Sequence, residues 1–352
     1  MHYEIAAPRA SALVESLRGV GYSPSTAIAD LVDNSISAGA RNIWLTFKFD
    51  GSMSTISLLD DGCGMSEVEL RQAMVLGARN PLDTRSNGDL GRFGLGLKTA
   101  SFSQCRCLTV AARKDNIVSV RRWDLDYLTK MAADDWRLLI GPRDGSEALI
   151  SPLTQITTGT LVVWETLDRI VGGARSDDRK AEDAFNAMIE AVDHHLGMVF
   201  QRFLDRPNSP LRLYINGRRV RAWDPFMRSH PATEFTPSEA ITAQSGMVTL
   251  QGFVLPHKDQ MTEDELRRGA GSQGWAAHQG FYIYRGNRLM VAGGWLGLGT
   301  PRPWTMEEPY RLARISVDFD NTADTSWEID VKKSVARPPR QLRPRMTDLA
   351  DV

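Results

Sequence analysis

Cysteine is scarce: three in 352 residues are too few for a disulfide framework. Cys105 and Cys107 have no second Cys or His pair at ligand spacing, which argues against a structural metal site. A reduced, cytoplasmic compartment is the expected location. Excess charge is lacking too. The 42 Lys and Arg nearly cancel the 43 Asp and Glu, so no global field draws the chain to nucleic acid or to a membrane surface. No apolar run approaches the roughly 18 residues that a membrane span needs. Met1-His2-Tyr3-Glu4 has neither the basic start nor the apolar stretch of a signal peptide. No internal repeat is visible. What is present is an ordinary globular balance, 42% hydrophobic and 24% charged, in a chain long enough for two domains.

The local patterns predict a mixed α+β chain. Ser11 to Val20 and Ser25 to Ala38 read as helices, the second opened by the cap-and-proline signal Ser23-Pro24 and closed by Gly39. Asn42 to Phe49 and Thr55 to Leu59 alternate as strands. Residues 77–96 hold five glycines with Asn, Pro, Asp and Ser, a long irregular connection of the functional kind. Strands follow at Cys107–Ala112, Ile117–Trp123 and Thr160–Glu165, then one long amphipathic helix from about Arg179 to Leu204. Pro207-Asn208-Ser209-Pro210 is the expected domain boundary. Beyond it, Asn216-Gly217 marks a hairpin. Further strands are expected at Gln251–Leu255, Phe281–Arg285, Leu289–Val291 and Ala313–Phe319, with a helix near Glu263–Arg268. The proline- and arginine-rich end, 337–352, reads as an exposed basic tail.

Three segments carry chemistry. In Asp30-Leu31-Val32-Asp33-Asn34-Ser35, acids and an amide interrupt an apolar helix, and such groups need partners if buried. Alone, the hexapeptide reads equally well as a solvated helix end. Asp60-Asp61-Gly62-Cys63-Gly64-Met65 follows an apolar strand, and Gly62 and Gly64 permit close backbone approach. A bare D-x-G-x-G also occurs in calcium loops and turns. Gly91-Arg92-Phe93-Gly94-Leu95-Gly96-Leu97-Lys98 leads from the irregular loop into a helix over Leu97–Ser103, where backbone N–H groups and a lysine can meet phosphate. Its spelling fits neither the P-loop nor the dinucleotide fingerprint.

In this order and spacing the three segments resemble the GHKL ATPases (gyrase B subunits, HtpG-type chaperones, histidine kinases, MutL), whose core is the Bergerat fold. The resemblance implies an α+β ATP-binding domain over residues 1–206, with 77–96 as the ATP lid. By the same resemblance Asn34 would bind Mg²⁺, with Asp33 beside it. Asp60 would accept from the adenine amine within a loop of Gly62, Gly64 and Met65, supported by Thr160. Gly91, Gly94, Gly96, Leu97 and Lys98 would hold the phosphates. Asp30 stands where the family carries a glutamate general base, about 1.5 Å longer in reach. Binding is therefore expected to be secure and hydrolysis slow.

Gly280-Phe281-Tyr282-Ile283-Tyr284-Arg285-Gly286-Asn287-Arg288-Leu289 and Trp327-Glu328-Ile329-Asp330-Val331-Lys332-Lys333-Ser334 are similar to the transducer domain of MORC-like and MutL-like ATPases. So is Leu17-Arg18-Gly19-Val20-Gly21-Tyr22-Ser23, ahead of the nucleotide helix. The resemblance implies a ribosomal-S5-like α/β domain over 207–336 that sends Lys332 or Lys333 to the γ-phosphate. It further implies a slow ATPase switch that forms a homodimer on ATP binding and serves DNA or a DNA-processing partner. The alternatives are an HtpG-like chaperone ATPase and an ATP-binding switch without intrinsic hydrolysis. A sensor histidine kinase fits poorly, because only His2 precedes Asp30 as a phospho-acceptor.

Overall fold

The computed structural model describes residues 4, 8–19, 21–77, 96–130, 135–243, 246–299, 302–320, 327–329 and 336–351. The chain divides into two compact units. One comprises Met1–Thr84, Gly91–Asp193 and Asn208–Val220, the other Arg85–Leu90, His194–Pro207 and Arg221–Val352.

In the first unit the elements are α1 (Ala10–Arg18), α2 (Pro24–Ser37), β1 (Asn42–Lys48), β2 (Thr55–Asp60), α3 (Glu67–Met74), α4 (Gly96–Phe102), β3 (Cys107–Lys114), β4 (Ile117–Asp124), α5 (Leu125–Lys130), β5 (Leu139–Ile140) and β6 (Gly159–Glu165). Helix α6 (Arg179–Val199), which belongs to this unit only as far as Asp193, and, after the short α7 (Gln201–Leu204) of the second unit, strands β7 (Arg212–Ile215) and β8 (Arg218–Arg219) follow. The eight strands form one mixed sheet in the order β5-β4-β3-β6-β2-β1-β7-β8. Every neighbouring pair is antiparallel except β1 with β7. Alternation sets the faces: Ile43, Leu45 and Phe47 of β1 and Ile56 and Leu58 of β2 are buried. Ala111, Leu161 and Val163 pack with Leu153 of a 3₁₀ segment. Helix α2 is buried on most of its circumference, including Ala27, Ile28, Leu31 and Val32.

The expected boundary at Pro207–Pro210 differs from this division. The Asn-Gly hairpin forms as predicted, with Asn216 at φ 47° and Gly217 at φ 79°. Its first strand, however, pairs in parallel with β1, Asn42 to Arg212 through Leu45 to Ile215. Asn216 Oδ1 also accepts from the Phe47 N–H at 2.8 Å. A parallel pairing across so much sequence leaves no local signature.

The second unit contains α7, β9 (Glu234–Phe235), β10 (Glu239–Ala243), β11 (Gly246–Val254), α8 (Glu263–Gly269), β12 (Gly280–Arg285), β13 (Arg288–Ala292), β14 (Ala313–Phe319), β15 (Glu328–Ile329), β16 (Ala336–Arg337) and α9 (Arg343–Asp351). Its main sheet runs β10-β11-β14-β12-β13, with β9 on β11, and β12 and β14 are parallel. One face packs Val248, Leu250, Phe281, Ile283, Ile315 and Val317, the other Phe253, Tyr282, Tyr284 and Phe226. This is a second α/β domain.

Two expectations are corrected here. Residues 337–352 are not a free tail: Leu342 and Met346 are fully buried in the first of these cores, with Leu349 against it. Their helical spacing outweighs the surrounding prolines and arginines. The long helix also ends early, at Val199. Phe200, at φ −104° and ψ 16°, separates it from α7. Both pieces keep one apolar stripe, so periodicity alone does not reveal the break. Among the described residues no helix is long and apolar enough to cross a membrane.

Candidate active site

Helix α2 is started firmly. Ser23 Oγ accepts from the Thr26 N–H at 3.2 Å, the Ser23 N–H returns to Thr26 Oγ1 at 3.1 Å, and Pro24 occupies the first turn. A helix begun there carries Asp30 at its middle and Asp33, Asn34 and Ser35 toward its C-terminal end. Their directions differ by helical angle: Asp30, Asp33 and Ser35 are buried and Asn34 is exposed. Asn34 thus presents a hard carboxamide oxygen on the open side, while Asp33, its neighbour in sequence, is turned inward.

Strand β2 buries Ile56, Leu58 and Asp60 in alternation, so a carboxylate takes what would otherwise be a core position. Asp60 is 3% exposed. Its Oδ2 accepts from Ser35 Oγ at 2.8 Å, and its Oδ1 accepts from the Gly62 N–H at 2.9 Å and the Thr160 N–H at 3.3 Å. Burial pushes the Asp60 pKa above the ordinary carboxylate value, and these three donors pull against it. A carboxylate offers roughly four acceptor positions. Three are occupied by protein, which leaves a place for one further donor, such as an exocyclic amine.

The surrounding backbone approaches too closely for side chains. At Gly64, φ +64°, a Cβ would lie 2.1 Å from the Arg113 carbonyl oxygen; at Gly159, φ +155°, it would lie 2.0 Å from the Asp60 carbonyl oxygen. Asp61 ties the loop to β1 by accepting from the N–H groups of Arg41 at 2.7 Å and Asn42 at 2.8 Å. Met65 is half-buried just before Ser66, which caps α3 in a capping box with Glu69.

The second carboxylate is held differently. Asp30 is 4% exposed, and its Oδ2 accepts from the Tyr22 hydroxyl at 2.9 Å. The start of α4 lies against it: a Cβ on Gly96 would be 3.4 Å from Asp30 Oδ2. Leu97 is half-buried. Lys98, expected to face phosphate, is instead buried with its Nζ donating to the Ala73 carbonyl at 2.7 Å. An ammonium enclosed beside the end of α3 takes the carbonyl within reach. Gly91, Gly94, Lys332 and Lys333, and most of the expected lid, lie outside the described residues.

The structure therefore brings Asp60, Gly62, Gly64 and Thr160 together, and Asp30 together with Gly96. Thr160 reaches Asp60 through its backbone N–H. Sequence reasoning assigned no role to Ser35, Tyr22 or Gly159. A small hydroxyl residue interrupting the apolar face of α2 was the available signal for Ser35. Gly-Thr opening a strand was the signal for Gly159. Tyr22 stands in the Leu17–Ser23 segment ahead of the nucleotide helix, which gives its side chain no role by itself.

Residues 22–160 match the family described as "Histidine kinase-, DNA gyrase B-, and HSP90-like ATPase". The chain is 34% identical over 96 residues to ATPase morc-1 of Caenorhabditis elegans, covering 27% of this chain and 11% of that protein. It is 27% identical over 124 residues to the DNA mismatch repair protein MutL of Caldanaerobacter subterraneus, covering 35% and 20%. With MutL of Sphingopyxis alaskensis it shares 26% identity over 197 residues, covering 56% and 28%. The matched stretch thus spans between 11% and 28% of those relatives. The chain carries a GHKL-fold ATPase domain related to the MORC and MutL family ATPases.

Proposed function

We propose that this chain is a slow, Mg²⁺-dependent ATPase that works as a conformational switch, with Asp60 reading adenine and Asp30 acting as general base. The observation that carries the reading is the Asp60 carboxylate, buried, braced by three donors and left with one acceptor position. A group so expensive to bury is kept where recognition needs it. The base would accept a proton from the attacking water. Asn34, exposed toward the helix end, would be the oxygen donor to the metal, and a single carboxamide suits an ion that keeps waters and phosphate oxygens. When bound, Mg²⁺ neutralises phosphate charge.

Gly91, Gly94, Gly96, Leu97 and Lys98 would hold the phosphates, with Lys98 exchanging the Ala73 carbonyl for a phosphate oxygen. Asp33, Gly62, Gly64, Met65 and Thr160 would shape the base pocket. The second α/β domain would serve as an S5-like transducer, contributing Lys332 or Lys333 to the γ-phosphate. ATP binding would close two chains into a homodimer, and the DNA mismatch repair relatives favour DNA or a DNA-processing protein as the partner. That partner assignment is by analogy with relatives.

The decisive test pairs two variants. ADP or ATP with Mg²⁺ is expected to raise the melting temperature of the parent protein, and Asp60→Asn to abolish the shift; mass action supplies about 2.7 kcal/mol at a hundredfold excess over Kd. Asp30→Ala is expected to retain the shift and to lose at least about tenfold in turnover. Equal stabilisation by GTP would remove the adenine contact. Parental turnover in Asp30→Ala would leave an ATP-binding switch whose hydrolysis, where it occurs, uses another base. Light scattering showing one mass with and without a non-hydrolysable analogue would remove the dimer closure.

A further inference from the structure

The geometry points to Tyr22 and Asp30 as a matched pair, in which the tyrosine hydroxyl positions a deliberately short acid and excludes a longer one. This rests on the reading of Asp30 as the base. The Tyr22 hydroxyl donates to Asp30 Oδ2 at 2.9 Å, and both residues are buried, at 7% and 4% exposure. On another side lies Gly96, where a Cβ would be 3.4 Å from the same oxygen, an ordinary contact distance. The carboxylate is therefore oriented by a directional bond from the tyrosine.

The phenol is itself fixed. The Tyr22 carbonyl accepts from Gln104 Nε2 at 3.1 Å, and Gln104 is 2% exposed and bonded also to Ser103 Oγ at 2.8 Å. Just ahead, Gly21 turns at φ +79°, and just behind, Ser23 caps α2. Tyr22 is thus pinned at its backbone, by the chain on both sides and by a buried amide. A glutamate at position 30 would carry its carboxylate about 1.5 Å further, into a hydroxyl already at hydrogen-bond distance. The loss of reach at Asp30 is then no simple defect: the tyrosine hydroxyl takes the volume of the missing methylene and supplies a donor in its place. Tyr22 is a positioning residue and does not itself touch the substrate.

The pairing makes an unusual forecast, namely that restoring the longer acid harms the protein unless the hydroxyl is removed. The full chain is compared as parent, Tyr22→Phe, Asp30→Glu, Asp30→Asn and Tyr22→Phe/Asp30→Glu, in steady-state ATP hydrolysis and in nucleotide-free thermal melting. Tyr22→Phe is expected to lower kcat at least about fivefold with KM within about twofold, because orientation matters most in the transition state. Asp30→Glu is expected to melt several degrees lower without nucleotide and to turn over more slowly than the parent. The double variant is expected to regain the melting temperature and at least about fivefold in kcat over Asp30→Glu, a non-additivity that contact between the two sites predicts. Asp30→Glu that melts and turns over like the parent, or faster, overturns the pairing. So does Tyr22→Phe with parental kcat while Asp30→Asn is inactive, and in that case the ATPase reading stands. Parental turnover in Asp30→Asn overturns both. The melting arm decides the steric claim even where turnover is too slow to measure.

Discussion

Removing the hydroxyl of Ser35 takes one of three donors from a carboxylate that has almost no access to water. Asp60 Oδ2 receives that hydroxyl at 2.8 Å, while Oδ1 keeps the Gly62 and Thr160 N–H groups at 2.9 and 3.3 Å. A hydrogen bond to a charged group contributes about 1.5–3 kcal/mol, and leaving its acceptor buried without replacement forfeits most of that. Ser35→Ala should therefore cost about 2 kcal/mol at neutral pH, against well under 1 kcal/mol for an exposed helix serine changed to the better helix former. The cost depends on pH. Burial raises the Asp60 pKa above its unfolded value, and the Ser35 bond is among the contacts that lower it. A raised folded pKa means that the charged carboxylate costs stability, a cost that grows as pH rises through the folded pKa and vanishes once both states are protonated. The Ser35→Ala penalty should accordingly be largest at neutral pH and shrink in acid. Urea denaturation of parent and variant at two pH values measures it. The same variant should weaken ADP binding about tenfold, because the adenine acceptor loses its brace, with about 1.4 kcal/mol per decade as the conversion. A stability change below about 0.5 kcal/mol, together with unchanged ADP affinity, would refute the claim that this bond holds the acceptor in place.

In the second unit His278 is buried against Trp223, with ring centroids 4.7 Å apart, and burial followed by the nearby Arg314 charge lowers its pKa to about 4. The unfolded chain thus gains the proton first, and stability should fall as pH drops from about 6.5 toward 4, by at most about 3 kcal/mol; denaturation midpoints of His278→Gln against the parent should diverge in that window, the variant being flatter. Met346→Ala should destabilise by about 2–5 kcal/mol because the side chain is fully buried, whereas a solvated tail would give a change within about 0.5 kcal/mol by the same assay. Gly64→Ala should abolish the nucleotide-induced melting shift, since its Cβ would come within 2.1 Å of the Arg113 carbonyl at a φ of +64°. A retained shift would mean that the loop relocates without loss of the site.

Much of the local structure was legible because its signals are local. The serine cap and proline fixed the start of α2 at Pro24, strand alternation gave β1 and β2 within a residue or two, and Asn216-Gly217 announced its turn. The places where the reading failed share one cause, pairing that depends on distant chain. Strand β7 looked like the opening of a new domain because nothing in Arg212–Ile215 encodes a parallel partner at Asn42–Leu45. Residues 337–352 looked unstructured because Pro and Arg dominate their composition, while the three apolar side chains that dock them find a core made by β11 and β14. The candidate site divides the same way. Asp60 and its glycines stand in one contiguous motif, whereas Ser35, Gly159 and Tyr22 join the site only through folding, and the bond from Lys98 to the Ala73 carbonyl has no local signal.

Two aspartates frame the candidate site, and their surroundings differ in a way that separates recognition from chemistry. Asp60 is saturated on three of its acceptor positions, two from main-chain N–H groups of the β2–β6 region that cannot rotate. Such a carboxylate is well placed to present one acceptor in one direction. Asp30 is oriented by a side chain, the Tyr22 hydroxyl, whose bond can lengthen as charge shifts. On the proposed reading the two identical side chains would divide labour, as paired carboxylates in unlike environments do. The consequence is asymmetric under mutation. Exchange of Asp60 for its isosteric amide should eliminate binding, because an amide presents a donor where the adenine amine requires an acceptor. The same exchange at Asp30 should leave binding intact and remove turnover, because the amide keeps the Tyr22 hydrogen bond while it can no longer accept the proton.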